Sequence, residues 1–206
     1  MSSTSARTNA ETGLTRIVAM SWSHGDRYSA VPSLRLRSGD GTETVRGLAV
    51  AFGEERVGED EVLDPDGDGA VPSEVLDEET VRVFTEAGVP GAALKRRLRI
   101  VPTRVVPLSE VEIGPGGQVV GARAATGAVA RGVAFLFPDS ALRFLREVGP
   151  SAVQVEIRGT HLVDTNGRAV DAEFVRGELP TGDRPAGSDA GVQGGTFESW
   201  FSVDGN

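Results

Sequence analysis

The densest concentration of chemistry in this 206-residue chain is the run Asp64-Pro65-Asp66-Gly67-Asp68-Gly69, with carboxylates at alternate positions closed by glycine. It matches the opening of a calcium loop, because Ca2+ takes several hard oxygen ligands arranged around a tight turn. The bidentate acid expected at the twelfth loop position falls on Val75, with Glu74 one residue early, and Pro72 disfavours the usual exit into a helix. Asp64, Asp66, Asp68 and Glu74 are the candidate ligands of a weak Ca2+ site, and a solvated acidic loop is the plainer alternative. No other cofactor is expected.

The two histidines, His24 and His161, each stand near an aspartate, Asp26 and Asp164. Zinc or iron would want two or three imidazoles with carboxylates on rigid elements, and nothing in the spacing brings these two together. Ser21, Ser23 or Ser199 could pair with either histidine for nucleophilic work, yet none lies in a Gly-x-Ser-x-Gly elbow. The acids of residues 54–79 lie in a loop that cannot hold two of them at a fixed separation, as acid–base catalysis requires. Neither phosphate-binding glycine pattern is present. The absence of cysteine excludes disulfides and thiolate sites. The chain is expected not to be an enzyme.

Phe197, Trp200 and Phe201 form the densest aromatic group in a chain with 5% aromatics. On a strand Phe197 and Phe201 share one face and Trp200 takes the other, so Trp200 either packs a second core or stands exposed as a docking anchor. It is the candidate partner-binding residue.

Charge narrows the partners. Residues 54–79 hold 12 of the 30 acidic residues and one base, Arg56, a local charge of −11, which leaves +2 on the rest of a chain whose net charge is −9. A nucleic-acid binder would need a basic face to neutralise phosphates. The one basic cluster, Lys95, Arg96, Arg97 and Arg99, reads as a strand edge protected from aggregation by charge.

These residues must be positioned by short strands. The 27 glycines and 11 prolines sit between short apolar runs, which favours an all-β protein. Residues 16–22 read as a first strand with Val18, Met20 and Trp22 on one face; Leu34 and Leu36 mark a second. In residues 47–52, Leu48, Val50 and Phe52 point inward and the small alanines outward. Strands follow near 80–84, 98–101, 104–106, 118–123, 130–137 and 195–201. Residues 139–148 are the best helix, capped by Asp139 or Ser140 and apolar at Leu142, Leu145 and Val148. Residues 152–174 read as a strand, a tight Asn166-Gly167 turn and a returning strand, since Val153, Val155 and Ile157 alternate with Gln154, Glu156 and Arg158.

Residues 1–14 are expected to be a disordered tail, and 15–203 one β-sandwich domain with an acidic surface loop at 53–79 and a mobile Gly/Pro-rich loop at 179–195. No stretch of about 18 apolar residues is present for a membrane-spanning helix, and the N-terminus lacks the apolar core of a secretory signal. The expectation is synthesis in the cytoplasm, with a non-classical export route left open and no membrane insertion.

Three stretches carry a resemblance: residues 47–52 with the acidic turn that follows, residues 76–83, and residues 153–174 with their Asp164-Thr165-Asn166-Gly167-Arg168-Ala169-Val170 turn. Together they resemble a bacterial Ig-like domain of the SbsA type over about residues 47–175. The resemblance implies an Ig-like sandwich acting as a non-enzymatic structural or protein-binding module in a larger bacterial assembly, cell-surface-like or phage-tail-like. The alternative is a calcium-binding domain using residues 64–74.

Overall fold

The computed structural model describes residues 15–39, 41–54, 69–88, 95–148, 150–175 and 194–204. Fourteen strands and one α-helix follow in the order β1 (Thr15–Met20), β2 (Arg27–Tyr28), β3 (Ser33–Ser38), β4 (Gly41–Glu54), β5 (Val71–Pro72), β6 (Val81–Gly88), β7 (Lys95–Ile100), β8 (Arg104–Ile113), β9 (Val119–Ala124), β10 (Val129–Ala130), β11 (Gly132–Leu136), α1 (Asp139–Glu147), β12 (Ser151–Arg158), β13 (Asp171–Val175) and β14 (Thr196–Val203). The fold is all-β and sandwich-like, as the alternating patterns predict. A seven-stranded sheet, β11-β8-β9-β3-β4-β1-β13, packs against a five-stranded sheet, β2-β14-β12-β6-β7, and β5 pairs with β10 beside them. No helix among the described residues is long and apolar enough to cross a membrane.

The larger sheet also folds on itself. β11 pairs with β4 as well as with β8, so β3, β4, β11, β8 and β9 form a closed ring of strands. The ring corrects one expectation drawn from the alternation of β4. Leu48, Val50 and Phe52 do pack in the layer between the sheets, but Ala49 and Ala51 are equally buried, inside the ring with Leu34, Leu36, Leu108, Ala134 and Leu136. A barrel narrows as strands are removed, so five strands leave an interior filled by the small Ala49, Ala51 and Ala134 together with a few leucines. Small residues on one face of β4 are therefore a packing requirement rather than a sign of solvent.

Gly132 shows how tight the ring is. A Cβ there would lie 2.5 Å from the Val50 carbonyl oxygen and 3.1 Å from Val111 Cγ2. Because that oxygen belongs to the neighbouring strand, it cannot move without loosening the β4–β11 ladder. Gly132→Ala is expected to destabilise by about 1–3 kcal/mol. Thermal unfolding beside Gly127→Ala, whose Cβ meets nothing within 4 Å, checks this. Equal melting of the two variants would contradict ring closure.

β1 departs from simple alternation. Its register with β4 shifts between Ile17 and Ala19, and this bulge turns Val18 into the ring core while Ile17, Met20 and Trp22 face the layer between the sheets. The expected common face of Val18, Met20 and Trp22 thus holds for the last two only.

Residues 152–174 also differ from the expected hairpin. The tight turn is present, with Gly167 at φ 78° and a bridge between Val163 and Ala169. However, β12 lies between β6 and β14 in one sheet, while β13 runs parallel to β1 in the other. Both edges of β12 are taken, so the returning chain must cross the core. It crosses at Gly159, where a Cβ would meet the carbonyl oxygens of Val170 and Gly194 at 2.5 and 2.7 Å.

The helix starts after Pro138 with no side-chain cap, so neither Asp139 nor Ser140 caps it; Asp139 instead sits in the first turn, where the helix dipole favours an anion. Leu145 is buried and Leu142 packs partly on the core, while Val148 lies past the helix end and is exposed. Part of the expected acidic loop is anchored as well. Val71 and Leu76 are buried in the core, which ties residues 69–79 to the sandwich. The expected tail at 1–14 and most of the loop at 179–195 lie outside the described residues, apart from Gly194 and Gly195.

Candidate functional site: the outer face around Trp200

β14 alternates as its sequence predicts. Phe197, Ser199, Phe201 and Val203 are buried, and Trp200 points outward with 43% of its surface exposed. Across the five-stranded sheet Trp200 stands opposite Gln154, which stands opposite Phe84, which stands opposite Arg99. The two aromatic residues of this row have different surroundings. Arg97 lies over the Phe84 ring, 3.7 Å from guanidinium carbon to ring centre, and pairs with Glu156 on β12. Among the described residues Trp200 has no such cover.

Trp200 is nevertheless held in position. The His24 ring meets it edge to face at 5.7 Å, and Gly25 donates its N–H to the Trp200 carbonyl at 2.7 Å. Gly25 has φ 78°, a conformation that glycine adopts without strain. Further in, Trp22 Nε1 donates to Ser199 Oγ at 2.9 Å, and Ser199 Oγ lies 3.2 Å from His24 Nδ1. The serine oxygen accepts from the indole and lies within hydrogen-bond distance of the imidazole at the same time. A hydrogen-bond chain thus runs from the core at Trp22 to the imidazole beside Trp200.

Of the three serines considered for nucleophilic work, the structure brings Ser199 to a histidine. Ser199 is 1% exposed, and its oxygen is engaged by the Trp22 indole and lies beside the His24 ring. Ser21 Oγ accepts the Ala49 N–H, and the Ser23 hydroxyl accepts from Gln118 Nε2. His161 is exposed on a turn near Asp77, on a different part of the molecule from His24. Asp164 is engaged by the protein itself: its Oδ1 accepts the N–H groups of Asn166 and Arg168, both at 2.9 Å, and its Oδ2 accepts the Thr15 hydroxyl at 3.0 Å. Asp164 is the organiser of the Asn166-Gly167 turn.

Asp64, Asp66 and Asp68 lie outside the described residues. Glu74 is exposed on a short turn at Ser73–Val75. Among the described residues no group of three or more metal-ligating side chains is assembled. The basic cluster sits where charge predicts, on β7 at the edge of the five-stranded sheet. Glu79, bridged by Arg82 and by Arg99 at 2.8 Å, has its carboxyl held below the usual range by those hydrogen bonds. Burial would push the neighbouring Asp77 carboxyl up, but hydrogen bonds from Thr80 and the Glu79 N–H outweigh it and hold that carboxyl low.

The outward direction of Phe84 was within reach of sequence reasoning, because Val81 and Val83 fix the inward face of β6. Arg97 over its ring, and His24 against Trp200, depend on strand order. Comparison with known proteins finds no matching family model, no matching curated protein and no matching solved structure.

Proposed function

We propose that this chain is a non-enzymatic β-sandwich module that binds a protein partner, as a structural part of a larger bacterial assembly of the cell-surface or phage-tail-like kind, with Ig-like character. The observation that supports this reading is Trp200. Among the described residues it is left 43% exposed on a sheet face where Phe84 is roofed by Arg97. Tryptophan is a favoured interface anchor because one rigid indole removes a large apolar area from water at small entropic cost. His24 and Gly25 fix that indole before any partner arrives, so little ordering remains to be done on binding.

The partner should offer an apolar pocket rimmed by polar groups, matching Glu198 and Gln154 beside the indole. Trp200→Ala is expected to weaken association with the native assembly by about 30-fold, the scale of a 2 kcal/mol interface anchor, with the melting temperature unchanged. Tagged wild-type, Trp200→Ala and Val120→Ala proteins are compared by co-purification with that assembly and by thermal unfolding, Val120 being an exposed apolar residue on the other sheet. Equal recovery of the assembly by wild type and Trp200→Ala would overturn the reading.

A further inference from the structure

We propose that the cavity between α1 and the end of β14 binds a small organic anion, a carboxylate or phosphate monoester carried on an apolar body. The cavity has a volume of about 410 Å3, within the range of small-molecule pockets. Its floor is apolar, made by Val31, Leu145 and Val203, all buried, with half-buried Leu142 beside them. Its polar wall is made by three arginines, Arg46, Arg143 and Arg146, against one carboxylate, Asp139. The local charge is therefore +2, on a chain whose net charge is −9.

The arginines are arranged for a ligand rather than for one another's partners. Arg143 and Arg146 stand three apart on α1 and so share a helix face. Neither makes an ion pair among the described residues; Arg96, Arg131 and Arg158 are also without one there, but they do not line this cavity, whereas Arg16, Arg27, Arg35, Arg82, Arg97, Arg99, Arg104 and Arg123 each have an acidic partner. Arg46 is pre-positioned, since its Nη1 donates to the Val31 carbonyl at 2.8 Å, which leaves its remaining N–H groups for a second acceptor. Guanidinium forks match the two oxygens of a carboxylate or phosphate, and each such charged pair is stronger beside an apolar wall than in open water. The apolar floor then selects an anion that brings hydrocarbon with it over a bare inorganic ion.

This site lies apart from Trp200 and is independent of the protein-binding reading. The full chain is titrated calorimetrically with decanoate, octyl phosphate and, as the neutral control, decanol. Saturable one-to-one binding of decanoate or octyl phosphate is expected, with decanol at least about tenfold weaker, the effect of one charged hydrogen-bonded pair. The Arg143→Ala/Arg146→Ala double variant should lose at least about tenfold in affinity with unchanged melting, because both side chains are exposed. Trp200→Ala should bind the anion as wild type does. No saturable binding of either anion at millimolar concentration, equal affinity for decanol, or full affinity in the folded double variant would each overturn the proposal.

Discussion

Val155→Asp is expected to leave no cooperatively folded protein at room temperature. Val155 is 1% exposed at the centre of β12, opposite Val83 on β6 and Ser199 on β14, in the layer where both sheets meet. Losing its burial forfeits roughly 1.5–3 kcal/mol, and an ionised carboxylate there adds a desolvation penalty of about several kcal/mol. Together these consume most of the roughly 5–15 kcal/mol by which a domain is stable. Circular dichroism with a urea titration checks it, and a wild-type midpoint would mean that β12 faces the other way. The adjacent Glu156→Lys is the comparison. From alternation alone it should be nearly silent, but the structure pairs Glu156 with Arg97, so a loss of about 1 kcal/mol is expected.

Asp171→Ala is expected to cost about 3–5 kcal/mol. Asp171 is fully buried where β13 lies parallel to β1, and its Oδ2 stands 3.3 Å from Nε of Arg16, itself 5% exposed. Removing the carboxylate takes a charged partner from a buried guanidinium, a larger penalty than the pair's own net contribution. Replacing both partners, Arg16→Met with Asp171→Leu, should therefore recover most of the loss. Urea unfolding of the two variants decides the matter. If the double replacement is as unstable as Asp171→Ala, the buried charge is not the cause.

What could be read in advance was whatever a strand or turn determines locally. The alternation of Val153, Val155 and Ile157, the opposite faces of Trp200 and its neighbour Phe201, the Asn166-Gly167 turn and the charged edge at Arg96, Arg97 and Arg99 all depend on neighbours within a few positions. What could not be read depends on which strands meet. Ala49 and Ala51 look like a wet face until β11 pairs with β4 and closes a second interior over them. Nothing local to β1 gives Arg16 an acidic partner; strand order does, when β13 brings Asp171 beside it. Val18 required a bulge, and a bulge leaves no composition signal. The site divides likewise: parity sets Trp200 opposite Phe197 and Phe201 but leaves open whether it packs a second core, and Ser199 beside His24 depends on the chain between β1 and β2 folding back over β14. The cavity arginines come from β4 and α1, far apart in the chain, and alternation does not join them.

The six residues from Gly47 to Phe52 contribute alternate side chains to two separate interiors, large ones to the layer between the sheets and small ones to the ring. Neither interior can be redesigned by itself, because shifting this strand by one position would exchange the two sets and place phenylalanine where only alanine fits. A protein engineer seeking a shorter scaffold could not excise the ring as a stand-alone piece. Grafts and fusions belong at the connections between strands, while this backbone segment is the one the molecule must inherit intact.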